Sequence, residues 1–289
     1  MRPFSLSKFP ILFVGLYSTV AAAQTAPLIG RVQEAVGGQP IPDANIGIRG
    51  RNVGTAADER GQFQLSVPAA LRDDSLTVSA VGYQTRTWAV SALAAAPAPL
   101  RLALTEKKAA LPEVAVVGRA SKLRRLGTTS HSSFVVGQVT PFNQPTDIVE
   151  FAKLISVDKK PTRLLSAHIY LVGHAYQRAD VSDSVTLRLN FYRVVPAGGL
   201  PGERLVERSV IVRNPLRIGW LTIDLDPYAL ILADDFYLGY EFLPHQRQPI
   251  PRFLYGGQFG GSAVKRTSSL GTWSRSVGAR LSAYVTVRQ

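Results

Sequence analysis

The sequence predicts an all-β protein made of two β-sandwich modules, and three observations support that fold class. Short runs of alternating apolar and polar residues recur along the chain, which is typical of strands with one buried face. The 24 glycines and 19 prolines often lie between these runs, where they favour turns. Apolar residues at helical spacing are rare. The exception is TDIVEFAKLI, residues 146–155, where Thr146 is a candidate cap for one short helical turn.

Residues 1–23 are predicted to be a cleaved export signal. Arg2 and Lys8 supply a positive n-region, residues 11–20 are apolar but too few to span a bilayer, and residues 21–23 are alanines. No later stretch is long and apolar enough for a membrane helix. We therefore expect an exported protein in the periplasm, at the outer-membrane surface or outside the cell, with no transmembrane segment in the mature chain.

Charge and cysteine content limit the classes of function. The chain has no cysteine, which excludes disulfides, thiolate chemistry and a lipid-anchored cysteine. Its formal net charge is +13, and loss of Arg2 and Lys8 with the signal lowers this to +11. The predicted export from the cytoplasm and the scattered positions of the arginines argue against a nucleic-acid partner. The charge instead favours anionic envelope surfaces or acidic glycans, or it only keeps the surface soluble.

Residues 24–104 are predicted to form the first module. In TAADERGQFQLSVP, residues 55–68, Asp58 is expected to cap a turn and Gly61 to take a positive φ. A half-buried strand follows, with Phe63, Leu65 and Val67 on its inner face. The predicted strands of this module are LIGRVQ (28–33), NIGIRG (45–50), QFQLSV (62–67), SLTVSAVGY (75–83), TRTWAV (85–90) and LRLAL (100–104).

Four local patterns in this module occur together in a known family. They are a Gly-x-Val opening, a Pro-Ile-x-x-Ala turn, a Gly-Thr-x-x-Asp-x-x-Gly-x-Phe corner and a Gly-Tyr break. In this chain they fall on Gly30 and Val32, residues 40–44, residues 54–63, and Gly82 with Tyr83. The module therefore resembles the carboxypeptidase-regulatory-like domain, a transthyretin-like β-sandwich common in exported proteins of the Bacteroidetes. The resemblance implies a Greek-key scaffold in which Asp58 is structural. Ala57 departs from the family, which usually has threonine there.

Some members of this family flank zinc carboxypeptidases, but the zinc chemistry needs a His-x-x-Glu pair and a distant histidine. None of the four histidines, at positions 131, 168, 174 and 245, has an acidic residue three positions later. We therefore expect no zinc peptidase and no cofactor.

Residues 105–127 are predicted to be a linker rich in alanine, proline and charge. Within it, LPEVAVVG, from Leu111 to Gly118, resembles the short segment that follows this domain in TonB-dependent outer-membrane receptors. The resemblance implies a weak contact with a TonB-type partner, and an edge strand or a plain linker is the alternative. The SKLRR stretch that follows is expected to be a solvated basic linker.

Residues 128–289 are predicted to form a second, jelly-roll-like sandwich. Its spacing of strands loosely resembles the C-terminal sandwich of other Bacteroidetes proteins with the same N-terminal domain, a region with no assigned activity. The predicted strands are LLSAHIYLVGHAY (164–176), SVTLRLNFYRV (184–194), RLVERSVIV (204–212), GWLTIDL (219–225), DFYLGYEFL (235–243), FLYGGQF (253–259) and ARLSAYVTV (279–287).

Strand parity places aromatic and hydrogen-bonding side chains opposite the apolar residues of these strands. If the strands are neighbours, one sheet face combines rings for stacking with polar partners, which suits a sugar. The alternative is a face covered by loops or by the first module. The candidate ligand-binding residues are His168, Tyr170, Arg188, Asn190, Tyr192, Trp220, Asp224, Tyr237 and Glu241.

The sequence predicts a non-catalytic binding or interaction protein of the cell envelope, directed at carbohydrate or at a surface protein. A secreted, glycosidase-like hydrolase that uses Asp224 and Glu241 is one alternative. A purely structural adhesion or assembly component is another. Asp234 and Asp235 are weak calcium candidates, since aspartates before a strand more often form turns. No other metal site is expected.

Overall fold

The computed structural model describes residues 27–107, 122–139, 146–174, 184–244, 250 and 253–289. Within these residues the secondary structure is twenty strands, two 3-10 turns and one short helix, α1 (Val90–Ala95). The strands form two modules with separate apolar cores, and the predicted fold class is confirmed. No helix in the described ranges is long and apolar enough to cross a membrane.

The first module contains two packed sheets. Its strands are β1 (Leu28–Glu34), β2 (Asn45–Ile48), β3 (Val53–Ala56), β4 (Gln62–Leu65), β5 (Ser75–Ser79), β6 (Arg86–Ala89) and β7 (Leu100–Leu104). One sheet has the order β4-β1-β7, with β1 antiparallel to β4 and parallel to β7. The other has the order β3-β2-β5-β6 and is antiparallel throughout. Val32, Ile46, Leu65 and Leu76 are fully buried between the sheets.

The corner before β4 forms as predicted. Oδ1 of Asp58 accepts hydrogen bonds from the backbone N–H groups of Arg60, at 2.9 Å, and Gln62, at 2.8 Å. Gly61 has a φ of 71°, which glycine adopts without a steric penalty. Phe63, Leu65 and Val67 are then buried, while Gln62, Gln64 and Ser66 are exposed.

The second module is a sandwich in which the thirteen strands of the described residues are hydrogen-bonded into one sheet that folds over a common core. Its strands are β8 (Leu123–Gly127), β9 (Ser132–Val139), β10 (Val149–Ile155), β11 (Thr162–His174), β12 (Ser184–Val194), β13 (Pro201–Arg204), β14 (Val210–Pro215), β15 (Gly219–Asp224), β16 (Ile231–Leu232), β17 (Phe236–Leu243), β18 (Phe253–Arg266), β19 (Ser274–Leu281) and β20 (Ala283–Arg288). The main path of paired strands is β13-β12-β17-β10-β18-β11-β20-β8, with β14 beside β12, β15 and β16 beside β11, and β9 and β19 beside β18. The start of β18 pairs with β11 and β9, and its end pairs with β10. Phe191, Phe236, Tyr240, Phe242 and Phe253 fill the core.

Residues 146–155 do not form the predicted helical turn. Val149–Ile155 is strand β10, antiparallel to β17 and β18. Val149 and Phe151 face the core of the module, whereas Glu150 and Ala152 are buried on the opposite face. Because both faces are covered, the sequence loses the polar–apolar alternation of a half-buried strand and imitates helical spacing. Thr146 is not a helix cap: its Oγ1 lies 3.0 Å from Oγ1 of Thr55 in the first module.

Part of the predicted linker also belongs to the second module. Leu123–Gly127 is strand β8, which pairs with β20, so this basic stretch is not a free linker. Leu111 to Gly118 lies outside the described residues. The predicted strand at 279–287 is interrupted at Ser282, whose buried backbone N–H donates to the carbonyl of Gly256 and separates β19 from β20.

Candidate functional site

The structure divides the predicted ligand-binding residues between two regions. Strand β11 pairs with β15, which sets His168 opposite Thr222 and Tyr170 opposite Trp220. Strand β12 pairs with β17, which sets Arg188 opposite Glu241. In the order of strands, β10 and β18 lie between these two pairs. The predicted residues therefore do not form one continuous face.

The first region is an aromatic platform, defined here as His131, Tyr170, Trp220, Tyr284 and His168. Three adjacent strands, β15, β11 and β20, supply four of the rings. On β20, Ala283, Val285 and Val287 are buried in the core, so the pleat turns Tyr284 and Thr286 to the outer face. The same alternation on β11 buries Ala167, Ile169 and Leu171.

The five rings contact one another in sequence across this outer face. His131 stacks on Tyr170 with centroids 3.7 Å apart, and Tyr170 meets Trp220 edge-on at 5.3 Å. Trp220 meets Tyr284 edge-on at 4.9 Å, and Tyr284 stacks on His168 at 4.1 Å. His131 is exposed, and Tyr170 and Trp220 are partly exposed. The platform thus offers ring faces and edges to solvent in a fixed arrangement, suitable for stacking against an apolar sugar face.

His168 is a buried member of the platform, held in place by hydroxyl groups. Its Nδ1 lies 3.0 Å from Oγ1 of Thr222, and its Nε2 lies 2.8 Å from Oγ of Ser166 and 3.0 Å from Oγ1 of Thr286. Burial, together with the positive charge of Arg125, lowers the pKa of His168 to about 4. The imidazole is therefore neutral at pH 7, and three hydroxyls fix the orientation of the ring on which Tyr284 stacks.

Three residues in or beside the platform, namely Tyr284, His131 and Arg125, were not predicted as site residues. Tyr284 follows from the parity of β20, whereas His131 and Arg125 lie in or beside segments that carry little strand signal. The guanidinium carbon of Arg125, on β8, lies 5.8 Å from the centroid of Tyr284, within range for a cation–π contact. Recognising Arg125 requires knowing that β8 pairs with β20.

The second region is a buried ionic network, defined here as Asn45, Glu150, Arg188, Asn190, Tyr192, Glu241 and Arg266. Oε2 of Glu241 accepts hydrogen bonds from Nε of Arg188 and Nδ2 of Asn190, both at 2.7 Å. Nδ2 of Asn190 also donates to Oε1 of Glu150 at 2.8 Å. Glu150 also accepts hydrogen bonds from Nε of Arg266, at 2.7 Å, and from the hydroxyl of Tyr192, at 2.8 Å.

The first module closes over this network. Nδ2 of Asn45 donates to Oε1 of Glu241 at 2.9 Å, and Arg188 donates to the carbonyl of Asp43 at 2.6 Å and to Oδ1 of Asn45 at 3.1 Å. Burial alone would raise the pKa of Glu241, but Arg188, with Arg204 and Arg266, holds it well below its usual range. These predicted ligand-binding residues therefore join the two modules, which matches the alternative in which the first module covers the face.

Two further predicted residues lie at the margins of these regions, since Asp224 is paired across strands with Ser166 and Tyr237 with Tyr192. Asp224 is exposed at the end of β15, where Oδ1 accepts the N–H of Asp226 at 3.0 Å. The hydroxyl of Tyr237 donates to the carbonyl of Gly199 at 2.7 Å. Asp235 accepts bonds from the hydroxyl of Ser156 and the N–H of Val157, while Asp234 is exposed. Across the described ranges, no three His, Asp or Glu side chains are grouped closely enough to hold a metal ion.

Comparison with known proteins supports the resemblance in the first module. Residues 28–116 match the family model described as the CarboxypepD_reg-like domain, so the resemblance is confirmed and the match extends past the predicted boundary at residue 104. The chain is also 32% identical over 109 residues to the TonB-dependent receptor SusC of Bacteroides thetaiotaomicron. That alignment covers 37% of this chain and 10% of the receptor, so the chain spans about a tenth of this relative.

Two solved structures show weak likeness to the chain. The cysteine protease and lectin-like domains of Cwp84, a surface layer associated protein of Clostridium difficile, give a TM-score of 0.34 at 8% identity, covering 55% of this chain and 37% of that one. The infectious bursal disease virus Gt strain gives 0.25 at 9% identity, covering 91% and 62%. Both scores are too low to bear on fold or function.

Proposed function

We propose that this chain, whose first module is a CarboxypepD_reg-like domain, is a non-catalytic, exported binding protein of the bacterial cell envelope. Its second module recognises carbohydrate through the aromatic platform. The observation that carries the proposal is the run of five contacting rings on an outer sheet face, with Tyr170 and Trp220 still partly open to solvent. Stacked and edge-on rings beside hydroxyl donors suit the alternating apolar and polar surfaces of a sugar.

The envelope context has three supports. The sequence of residues 1–23 fits an export signal. The first module belongs to a domain type seen in exported proteins, and the similar protein SusC is a TonB-dependent receptor. A weak contact of Leu111 to Gly118 with a TonB-type partner is part of this proposal. Recognition of a surface protein, or a structural role in assembly, is the alternative use of the same fold.

The geometry of the carboxylates supports a non-catalytic role. A glycosidase needs two carboxyl groups facing each other across a cleft, one with a raised pKa. Glu241 is fully buried beneath the first module with a lowered pKa. Asp224 is exposed on β15, a strand that does not pair with β17. The hydrolase alternative would need a different pair of residues.

A glycan-array screen of the mature chain, residues 24–289, tests the proposal. We expect binding to a subset of envelope or plant polysaccharides that is lost in Tyr170→Ala and in Trp220→Ala, because each variant removes a ring from the platform. A specific contact with one aromatic ring is worth about 0.5–1.5 kcal/mol beyond the area that it buries, so a loss of affinity of up to about tenfold is expected for each variant.

Trp88→Ala is the matched control, because Trp88 is a partly exposed tryptophan in the first module. Thermal unfolding of all variants shows whether the second module remains folded. Retained binding in both platform variants would move the site elsewhere, and no binding by the wild type would remove the carbohydrate proposal.

A further inference from the structure

Beside the aromatic platform lies a groove of about 540 Å³, called here the basic groove. It opens at the edge of the sandwich, where β8 and the residues after it approach β10 and β19. Its lining includes Arg125, Thr128, Ser130, Lys153 and Arg280. Three of the ten lining residues are cationic and none is acidic. The groove therefore carries positive charge beside the platform, where Arg125 lies over the ring of Tyr284.

The three cations have no carboxylate partner within the described ranges. The ion pairs found there use other cations, among them Arg124, which pairs with Asp158 at 3.0 Å, and Arg163, which pairs with Asp226 at 2.9 Å. Asp235 contacts the lining residue Ser156, and its oxygens accept hydrogen bonds from the hydroxyl of Ser156 and the N–H of Val157 rather than pairing with a cation of the groove. Positive charge in the groove is thus left without a fixed counter-charge.

Lys153 shows the effect of this arrangement most clearly. Its side chain is only partly exposed, and its Nζ donates to Oγ1 of Thr128 at 2.7 Å. Burial and the repulsion of Arg280 lower its pKa to about 8. Like-charge repulsion destabilises an ammonium group near a guanidinium, and an anion bound between the two would attract both.

The groove and the platform are joined by one arginine and one short segment. Arg125 lines the groove and also lies over the ring of Tyr284. The chain then runs through Thr128 and Ser130, which line the groove, to His131, which stacks on Tyr170. A substituent on a sugar that stacks on the platform would therefore be able to reach the basic groove.

We infer that the glycan bound by the aromatic platform is anionic, and that Arg125, Lys153 and Arg280 bind its carboxylate, sulfate or phosphate group. This inference rests on the proposed function and specifies its substrate class. Guanidinium and ammonium groups form charge-assisted hydrogen bonds with such oxygens, and these are stronger than hydrogen bonds between neutral groups. The hydroxyl of Thr128 already orients Lys153 toward the groove.

Calorimetric titration with two matched polymer pairs tests the inference on the mature chain. The first pair is polygalacturonate and its methyl ester, and the second is chondroitin sulfate and desulfated chondroitin. We expect the acidic member of at least one pair to bind at least tenfold more tightly than its neutral or less charged form, and the pair that shows this preference distinguishes a carboxylate from a sulfate ligand. Lys153→Met and Arg280→Gln should each lower that affinity about tenfold.

Arg101→Gln is the control, because Arg101 is an exposed arginine of the first module and its loss changes the net charge equally. An equal loss of affinity in this control would show non-specific attraction and overturn the inference. Equal binding of both members of each pair, still lost in Trp220→Ala, would overturn the anion site but leave the carbohydrate platform standing. If none of the four polymers binds while the glycan array shows platform-dependent binding to neutral glycans, the anion site is overturned and the carbohydrate platform stands; no binding in either assay overturns both.

Discussion

At the scale of single residues, burial acts on His168 and Glu241 in the same physical way, but their neighbours decide which form is kept. Burial disfavours the charged form of both groups. For His168, no carboxylate opposes this effect among its hydroxyl and aromatic neighbours, so the neutral imidazole is retained. For Glu241, the adjacent guanidinium of Arg188 outweighs burial and retains the carboxylate.

His168 should make the stability of the protein depend on pH in the acidic range. Its pKa falls from 6.5 to about 4 on folding, so the unfolded chain binds a proton that the folded chain excludes. The stabilisation is complete above pH 6.5 and is lost as the pH falls toward 4. Between pH 7.5 and 5 the loss should be on the order of 2 kcal/mol.

Urea unfolding at pH 7.5 and at pH 5 measures this dependence. In His168→Gln, which keeps hydrogen-bonding groups but cannot be protonated, the drop in unfolding free energy between the two pH values should be smaller than in the wild type by about that amount. An identical drop in both proteins would show that Arg125, Tyr284 and the surrounding hydroxyls tolerate a charged imidazole.

Residue-scale predictions from the sequence succeeded where only strand parity was needed. Arg188, Asn190 and Tyr192 share a face, opposite Leu187, Leu189 and Phe191, as the alternation predicts. What the alternation cannot tell is which surface covers that face. Coverage depends on residues of the first module more than 140 positions away, such as Asn45, and no local pattern records such a contact.

At the scale of elements, the corner that leads into β4 depends on one carboxylate. Oδ1 of Asp58 accepts hydrogen bonds from the backbone N–H groups of Arg60 and Gln62. Asp58→Ala should therefore destabilise the protein by about 1–2 kcal/mol. Asp58→Asn keeps an oxygen at the same place and should retain most of the stability.

Chemical unfolding of both variants gives the measurement, with Asp73→Ala, at an exposed aspartate in another turn, as the control. If Asp58→Ala costs no more than Asp73→Ala, the corner is held by its backbone alone. The sequence predicted this element well because all of its determinants, a capping aspartate, a glycine and an alternating strand, lie within ten residues.

Strands β8 and β10 show why other elements could not be predicted. Strand β8 is an edge strand with four of its five residues exposed, so no apolar alternation marks it. Strand β10 has the opposite problem, since its first four residues are all buried. An alternation of apolar and polar residues appears only when one face of a strand is exposed to solvent and the other is buried. Strand β8 is exposed on both faces, and the first part of β10 is buried on both.

At the scale of the whole molecule, the interface between the modules is polar rather than apolar. Its centre is the buried ionic network, in which Arg188 and Glu241 are 3% and 0% exposed. A small apolar contact of Ala56 with Ile148 and Leu243 lies beside it. Such an interface specifies one relative orientation, because a displaced module would leave buried charges without partners.

The last prediction follows from this interface: the two modules should unfold as one cooperative unit. Arg188→Met removes the guanidinium and leaves Glu241 buried with less compensation, which should cost about 3–5 kcal/mol. The double variant Arg188→Met/Glu241→Gln removes both charges and should be less destabilised than Arg188→Met alone. Arg101→Met, at an exposed site in the first module, should change stability by less than about 0.5 kcal/mol.

The three tryptophans allow each module to be followed separately. Trp88 reports on the first module, and Trp220 and Trp273 report on the second. A variant with Trp88 as its only tryptophan reports on the first module, and a variant with Trp88 replaced by phenylalanine reports on the second. The urea unfolding transitions of these two variants should coincide when Arg188 is present and separate when Arg188→Met is added to both. Separate transitions without the Arg188 substitution would mean that the modules are independent, and the buried ionic network would then contribute little to holding them together. Coincident transitions that separate only when Arg188 is lost would show that one buried ion pair couples the scaffold domain to the module that carries the platform.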